Sequence, residues 1–245
     1  MRKALFIYNS KSGKNQLQKP AGIMNYLRAK GIETTAFYLV GTDAEARLND
    51  ALNREDFDLA VASGGDGTIN FTINALVKAG RQIPVGIIPA GTCNDLARNL
   101  KIPLNQKKAL DLITTGETTT IDIGLINDEI CFMSSCSGGL FTDISYKTED
   151  ALKKYFGPLA YYFRGVEELS RINPFTLSVK TQSGLFKEDI LLFFILNGPH
   201  VAGLSNLVQA ADPGDGLLHL VLIKKSAMVE LAGLFVKLLQ QLSLR

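Results

Sequence analysis

The sequence predicts an α/β protein, with an N-terminal doubly wound parallel sheet followed by a C-terminal, mainly antiparallel β domain. Three observations carry that expectation. Apolar runs alternate with helical patterns through short links in the first half of the chain, and two of those runs stop abruptly at glycine-rich polar turns. Near Thr118 the pattern changes to several strands joined by turn-rich links. The expected domains are therefore residues 1–118 and 119–245.

Ala4 to Tyr8 reads as the first strand and Asn9-Ser10-Lys11-Ser12-Gly13-Lys14 as its exit loop. That loop offers hydroxyls, a glycine and two ammonium groups. At the carboxyl end of a strand it fits a phosphate grip with Lys14 as its point charge, and it fits a solvated turn equally well. A helical pattern follows and ends near Gly31, then Ile32 to Tyr38 forms a second strand and Asp43 to Asn53 a short helix.

Leu59, Ala60, Val61 and Ala62 make a continuous apolar segment, the pattern of a parallel strand covered on both faces. It runs into Gly64-Gly65-Asp66-Gly67-Thr68-Ile69-Asn70, after which Ile69, Ile73, Leu76 and Val77 recur at helical spacing. Strand, turn and helix without a spacer bring backbone N–H groups and a helix N-terminus to one point, where anions bind. Glycines let a polyphosphate approach the backbone, and Thr68 is placed to cap the helix. Asp66 is out of place beside phosphates unless a cation intervenes or it takes a proton from an attacking hydroxyl. A tight turn with Asp66 as a local cap accounts for the same residues, and by itself this turn leaves both readings open. Neither common glycine code fits, since Asn70 stands where a dinucleotide fingerprint has its last glycine and no Gly-Lys-Ser/Thr ending exists.

Gln82 to Ile88 supplies a fourth strand, ending in Pro89-Ala90-Gly91-Thr92. Gly91-Thr92-Cys93-Asn94-Asp95-Leu96-Ala97-Arg98 then repeats the device of strand end, glycine, small polar residues and new helix. Alone, Asn94 or Asp95 is an ordinary helix cap. Two such turns on neighbouring strands can face one nucleotide.

In the second half, Thr119 to Ile126, Glu129 to Met133, Phe175 to Thr181, Leu185 to Asn197 and Leu217 to Ile223 read as strands, with helical patterns between Gly138 and Arg171. Lys147, Lys153, Lys154 and Arg164 lie among Tyr146, Tyr155, Phe156, Tyr161, Tyr162 and Phe163, a mixture suited either to a lipid headgroup interface or to a solvated helix over a β core. Asp212-Pro213-Gly214-Asp215-Gly216-Leu217 is a loop rich in oxygen donors and turn residues.

Composition narrows the function classes. A chain of 245 residues with 46% hydrophobic content supports a proper core, and a net charge of +2 argues against bulk nucleic-acid binding. Cys93, Cys131 and Cys136 show no paired metal spacing and His200 and His219 are the only histidines, so a thiolate or imidazole zinc site is not expected. A reducing, cytosolic setting fits these cysteines. The apolar part of the N-terminus is too short for a signal peptide, and no run approaches a membrane span.

The turn Gly64-Gly65-Asp66-Gly67-Thr68-Ile69-Asn70 followed by Pro89-Ala90-Gly91-Thr92-Cys93-Asn94-Asp95-Leu96-Ala97-Arg98 resembles the catalytic domain of diacylglycerol kinases and of the soluble bacterial lipid kinases like them. The first motif also resembles that of NAD kinases and sphingosine kinases, whereas the Gly-Thr-x-Asn-Asp form of the second is similar to the diacylglycerol branch. Asp122-Ile123-Gly124, Gly157 to Tyr162, Ala202-Gly203-Leu204 and Asp215-Gly216 extend the resemblance over nearly the whole chain.

The resemblance implies a kinase that moves the γ-phosphoryl of ATP to the hydroxyl of diacylglycerol, giving phosphatidic acid, with ATP and Mg²⁺ as cofactors. It implies that Asn9, Ser10, Lys11, Ser12, Gly13, Lys14, Gly64, Gly65, Asp66, Gly67, Thr68, Ile69, Asn70, Gly91, Thr92 and Asn94 hold the nucleotide. Asp66, Asp95 and Asp122 would organise Mg²⁺ and water. A structural Mg²⁺ would sit on the Asp215 carboxylate and the carbonyls of Asp212 and Leu217. A cytoplasmic protein peripheral to the inner face of the membrane is implied, with a lipid substrate at that surface, and a homodimer is compatible with it.

The chain departs from the family pattern at Ser10, where proline is usual, and at Leu39, where a polar residue is usual. It also lacks the family's late Asp-Gly-Glu segment, whose Glu resembles a general base. A truncated lipid kinase is the favoured expectation over a catalytically silent ATP-binding relative, because the phosphate turns are intact. Another lipid, such as phosphatidylglycerol or a sphingoid base, is the alternative substrate.

Overall fold

Ala4, Phe6 and Tyr8 turn to one face of the first strand and Leu5 and Ile7 to the other, and all five are buried. A strand buried on both faces belongs inside a sheet that carries helices on each side. The computed structural model has that arrangement, and it describes residues 1–9, 19–139, 174–201, 203 and 208–224. The strands β1 (Arg2–Tyr8), β2 (Ile32–Tyr38), β3 (Leu59–Gly64) and β4 (Val85–Pro89) form a four-stranded parallel sheet in the order β2-β1-β3-β4.

Helices α1 (Pro20–Ala29) and α5 (Gln106–Thr115) cover one face, where Ile23, Leu27 and Leu110 pack on Phe6, Val61 and Ile88. Helices α2 (Ala44–Arg54) and α3 (Asp66–Lys78) cover the other through Leu48, Leu52, Ala75 and Leu76. Fully burying each of the leucine, isoleucine, valine and phenylalanine side chains contributes about 1.5–3 kcal/mol. α1 stops at Gly31, whose positive φ of 79° lets its N–H reach the Arg28 carbonyl at 2.9 Å. The doubly wound sheet expected from the sequence is present.

α3 (Asp66–Lys78) begins three residues before Ile69, where the apolar periodicity starts. Gly65 occupies the N-cap position without a side-chain cap bond, so Thr68 lies inside the first turn instead of capping the helix. Val77 is 48% exposed, which narrows the buried stripe to Ile69, Ile73 and Leu76.

Strand order reverses between β1 and β3, because the chain leaves β1 toward β2 on one side and later builds β3 and β4 on the other. The carboxyl ends of β1 and β3 therefore flank a switch-point crevice, the usual ligand position in such sheets. A short helix, α4 (Asp95–Asn99), follows β4.

Two short strands, β5 (Gly124–Ile126) and β6 (Ile130–Phe132), form an antiparallel hairpin, and residues 1–134 group with 212–216 as one compact unit. The strand expected from Thr119 is confined to its last three residues. Asp122 is engaged elsewhere: its N–H donates to the Pro213 carbonyl at 2.7 Å. Asn74 on α3 anchors the hairpin. Its Nδ2 donates to the Cys131 carbonyl at 2.9 Å and its Oδ1 accepts from the Cys131 N–H at 2.7 Å, so the amide serves β6 as a neighbouring strand would.

The described residues from 135 onward, apart from 212–216, belong to a second unit. There β7 (Ser135–Gly139), β8 (Phe175–Thr181), β9 (Gly184–Leu196) and β10 (His219–Lys224) are antiparallel, with β9 between β10 and β7 and also paired to β8. The antiparallel second region is thus as expected, but β7 is new. Ser-Cys-Ser-Gly-Gly carries no strand signal of its own, and pairing with β9 makes it a strand. Any Cβ on Gly139, whose φ is 105°, would lie 2.4 Å from the Leu191 carbonyl oxygen. Residues 140–173, where helical patterns and the lysine–tyrosine mixture were read, lie outside the described residues. So do the Ala202 and Leu204 positions and residues 225–245. Among the described residues no helix is long and apolar enough to cross a membrane.

Replacing Asn74 by Ala leaves the Cys131 N–H and carbonyl without their partner. We expect a loss of about 1–3 kcal/mol in urea unfolding and faster amide exchange at Cys131, while the Leu125–Cys131 pairing persists.

Candidate active site

The loops after β3 and β4 touch backbone to backbone. A Cβ on Gly65 would sit 2.9 Å from the Gly91 Cα, and a Cβ on Gly91 would sit 2.5 Å from the Gly65 Cα. Neither position tolerates a side chain, because the obstructing atom is main chain. The Ala90 N–H donates to the Gly64 carbonyl at 2.8 Å and closes the junction.

Each turn is then fixed internally. Asn94 adopts the left-handed conformation, at φ 51° and ψ 47°, which asparagine tolerates better than most residues. Its Oδ1 accepts from the Gly91 N–H at 2.8 Å and its Nδ2 donates to the Gly91 carbonyl at 2.9 Å. Asn94 holds the N-cap position of α4, yet its side chain locks the preceding turn instead of capping the helix. On the other turn, a Cβ on Gly64 would meet the Thr68 side chain at 2.3 Å, so the glycine makes room for that threonine. Thr68 Oγ1 accepts from Asn9 Nδ2 at 3.2 Å, which joins the end of β1 to the start of α3 across the switch point.

Asp66 opens α3, and its Oδ1 accepts from the Leu96 N–H at 3.1 Å. That N–H belongs to the first turn of α4, where a helix leaves its donors unsatisfied and partially positive. The carboxylate of one turn is thereby held by the helix of the other. Asp95 is buried at the start of α4. Both carboxylates act on Cys93. Burial first, then the negative charges of Asp95 and Asp66, push its thiol from an ordinary 9.0 up to about 11, with Arg98 pulling the other way. Arg98 also donates from Nε to the Cys93 carbonyl at 2.9 Å.

Of the residues read from the sequence as a site, the structure brings together Asn9, Gly64, Gly65, Asp66, Thr68, Gly91 and Asn94 by the contacts above. Asp95 joins them through its charge on Cys93. Gly67 and Thr92 are exposed on the two turns. Ile69 is fully buried against Leu96 and Ala97, so its side chain is core. Asn70 receives Asn74 Nδ2 on its carbonyl at 2.9 Å and on its Oδ1 at 3.3 Å. Ser10 to Lys14 lie outside the described residues.

Asp122 is tied to the late loop, its Oδ2 accepting from the Gly216 N–H at 2.6 Å. In that loop Asp212 Oδ1 accepts from the Gly214 N–H at 2.9 Å, and the Asp212 carbonyl accepts from the Asp215 N–H at 3.4 Å, an Asx turn. Leu217, 57% exposed, begins the return to the second unit. Among the described residues no three His, Cys, Asp or Glu side chains close on one another as a ready-made metal cluster. A Mg²⁺ site does not require one, since that ion uses one or two carboxylates and takes its remaining oxygens from water and phosphate. The carboxylate and carbonyl oxygens here are of the right chemistry for it.

Sequence reading overlooked Asn74, and it named Cys93 without foreseeing that burial and two carboxylates act on its thiol. Asparagine in a helix interior is the available signal for the first, because its side chain competes with helical bonding unless something else engages it.

Fold and turns together define an α/β protein with two interlocked glycine turns at the carboxyl ends of its parallel strands. The diacylglycerol kinase catalytic domain matches residues 3–126. Diacylglycerol kinases of Staphylococcus aureus strains bovine RF122 / ET3-1 and JH9 are each 36% identical over 234 residues, covering 94% of this chain and 73% of their own length. The crystal structure of a diacylglycerol kinase from Bacillus anthracis str. Sterne is similar with a TM-score of 0.73 at 21% identity, over 96% of this chain and 78% of that one. A second structure from that organism reaches 0.78 at 23% identity with the same coverage, and both show the shared fold. The chain belongs to the diacylglycerol kinase catalytic-domain family.

The raised Cys93 pKa has a consequence for stability. Between about pH 9 and about 11 the unfolded thiol has lost its proton while the folded one keeps it, so the unfolded state binds fewer protons and stability falls as pH rises. Below that window the contribution is fully present. Cys93→Ser should flatten the decline in that pH range relative to the unsubstituted protein, as read from urea midpoints at successive pH values.

Proposed function

We propose that this chain is an ATP-dependent diacylglycerol kinase that transfers the γ-phosphoryl group of ATP to the free hydroxyl of diacylglycerol, giving phosphatidic acid, at the inner face of the cytoplasmic membrane. The single observation that carries this reading is the junction of the two glycine turns, with Asp66 held by the first turn of α4. It is supported by the relatives at 36% identity, which are diacylglycerol kinases.

Phosphoryl transfer asks the protein to cradle the phosphates, to place the hydroxyl in line and to stabilise charge. Gly67 favours the first task. A Cβ there would meet no atom within 4 Å, so neither packing nor backbone conformation calls for glycine, and the open space suits an approaching phosphate. The N-terminus of α3 adds its positive end, and Asn9, Gly64, Gly65, Thr68, Gly91, Thr92 and Asn94 build the wall. Mg²⁺, when bound, neutralises the phosphate charge that would otherwise oppose Asp66. Asp66, Asp95 and Asp122 are the residues assigned to orient it and its water. Asp215, with the carbonyls of Asp212 and Leu217, is assigned a second, structural Mg²⁺.

One sequence fact favours a second reading, an ATP-binding relative without transfer: these residues contain no Asp-Gly-Glu segment. Transfer of labelled γ-phosphate in mixed micelles, with diacylglycerol, phosphatidylglycerol and sphingosine side by side, separates the two. Product from diacylglycerol alone is the expected result. ATP binding without product from any lipid would replace the proposal by the second reading.

Asp66→Ala should lower turnover on diacylglycerol by roughly a hundred-fold or more while circular dichroism stays unchanged. Turnover within a factor of about two of the unsubstituted protein would remove Asp66 from the mechanism.

A further inference from the structure

The β8–β9 hairpin projects from its sheet. In β9 the C-terminal part, Ile190 to Leu196, pairs with β10 and β7. From Gly184 to Asp189 it pairs, among the described residues, with β8 alone. A two-stranded ribbon is marginal in water on its own, and exposed apolar residues at its tip add to that cost. Here the tip carries Leu185, 66% exposed, and Phe186, 39% exposed.

Charge around the tip is one-sided. From Ser178 to Lys187 the only charged residues are Lys180 and Lys187, both exposed. The acidic residues begin below the tip and are engaged locally: Glu188 pairs with Lys224 at 2.8 Å, and Asp189 accepts from the Thr176 hydroxyl at 2.7 Å. Register places Lys180 directly opposite Leu185, so a cation stands beside the exposed apolar side chain. The β5–β6 hairpin also exposes apolar residues, Leu125 and Ile130, but its turn carries Asp128 and Glu129, the wrong sign for an anionic partner.

We infer that the tip of the β8–β9 ribbon is a membrane-docking element, with Leu185 and Phe186 entering the headgroup boundary of an anionic bilayer and Lys180 and Lys187 meeting lipid phosphates. Apolar burial and near-surface lysines act together in such docking. The inference rests on the lipid-kinase reading only in that a bilayer-dissolved substrate gives the docking a purpose; the charge and exposure of the tip stand without it.

The chain contains no tryptophan, so Leu185→Trp installs a sole indole reporter at the tip. With vesicles of phosphatidylcholine containing phosphatidylglycerol, its emission should shift to the blue and the protein should sediment with the vesicles. With pure phosphatidylcholine neither should occur. Adding Lys180→Gln and Lys187→Gln should weaken binding by roughly five-fold per lysine. Sedimentation without a shift would mean that another surface docks, and absence of both would mean that none does; either overturns the inference. A shift on concentrating the protein without vesicles would overturn it in favour of self-association. None of these readouts requires phosphoryl transfer, so failure of the kinase reading leaves a separate signature.

Discussion

Two glycine Cα atoms in contact set the geometry of the first unit's crevice. Gly65 and Gly91 approach so closely that either Cβ would strike the other's main chain, and the Ala90–Gly64 hydrogen bond holds that approach. Everything nearby depends on this spacing. It lets Asp66 reach the Leu96 N–H and brings the N-termini of α3 and α4 side by side. A larger residue at either glycine would force the turns apart and break a chain of contacts that runs from Asn9 through Thr68 to Asn94.

Electrostatics follow from the same closeness. Two helix N-termini favour anions, while Asp66 and Asp95 bring negative charge to the same turns, where they add to burial in raising the Cys93 thiol. A phosphate alone would satisfy the helices and repel the carboxylates. A phosphate with a divalent cation satisfies both, which is why the proposed function includes Mg²⁺ beside ATP.

The parallel sheet was legible because buried strands such as Leu59 to Ala62 are continuous apolar runs and because the glycine turns punctuate them. The turn residues were legible individually, but their contact was not, since nothing in the spacing of Gly65 and Gly91 states that their Cα atoms meet. Thr68 reads as a cap and is a hydrogen-bond acceptor inside the first turn. Ile69 sits in a binding motif and packs in the core. β7 was illegible because its Ser-Cys-Ser-Gly-Gly sequence becomes a strand only against β9, where glycine lets the Phe193 ring approach. Asn74 was overlooked because its role depends on a hairpin distant in sequence.

Gly67→Ala tests the central claim most directly, by calorimetric ATP binding beside thermal unfolding. The added methyl meets no protein atom within 4 Å, and alanine is the better helix residue, so melting should hold or rise. ATP affinity should nevertheless fall by roughly ten-fold or more, because the methyl would stand between the backbone and the phosphates that approach it closely. Unchanged affinity in a protein of unchanged stability would mean that the space above Gly67 is not where the phosphates lie, and the crevice would have to be assigned to something else.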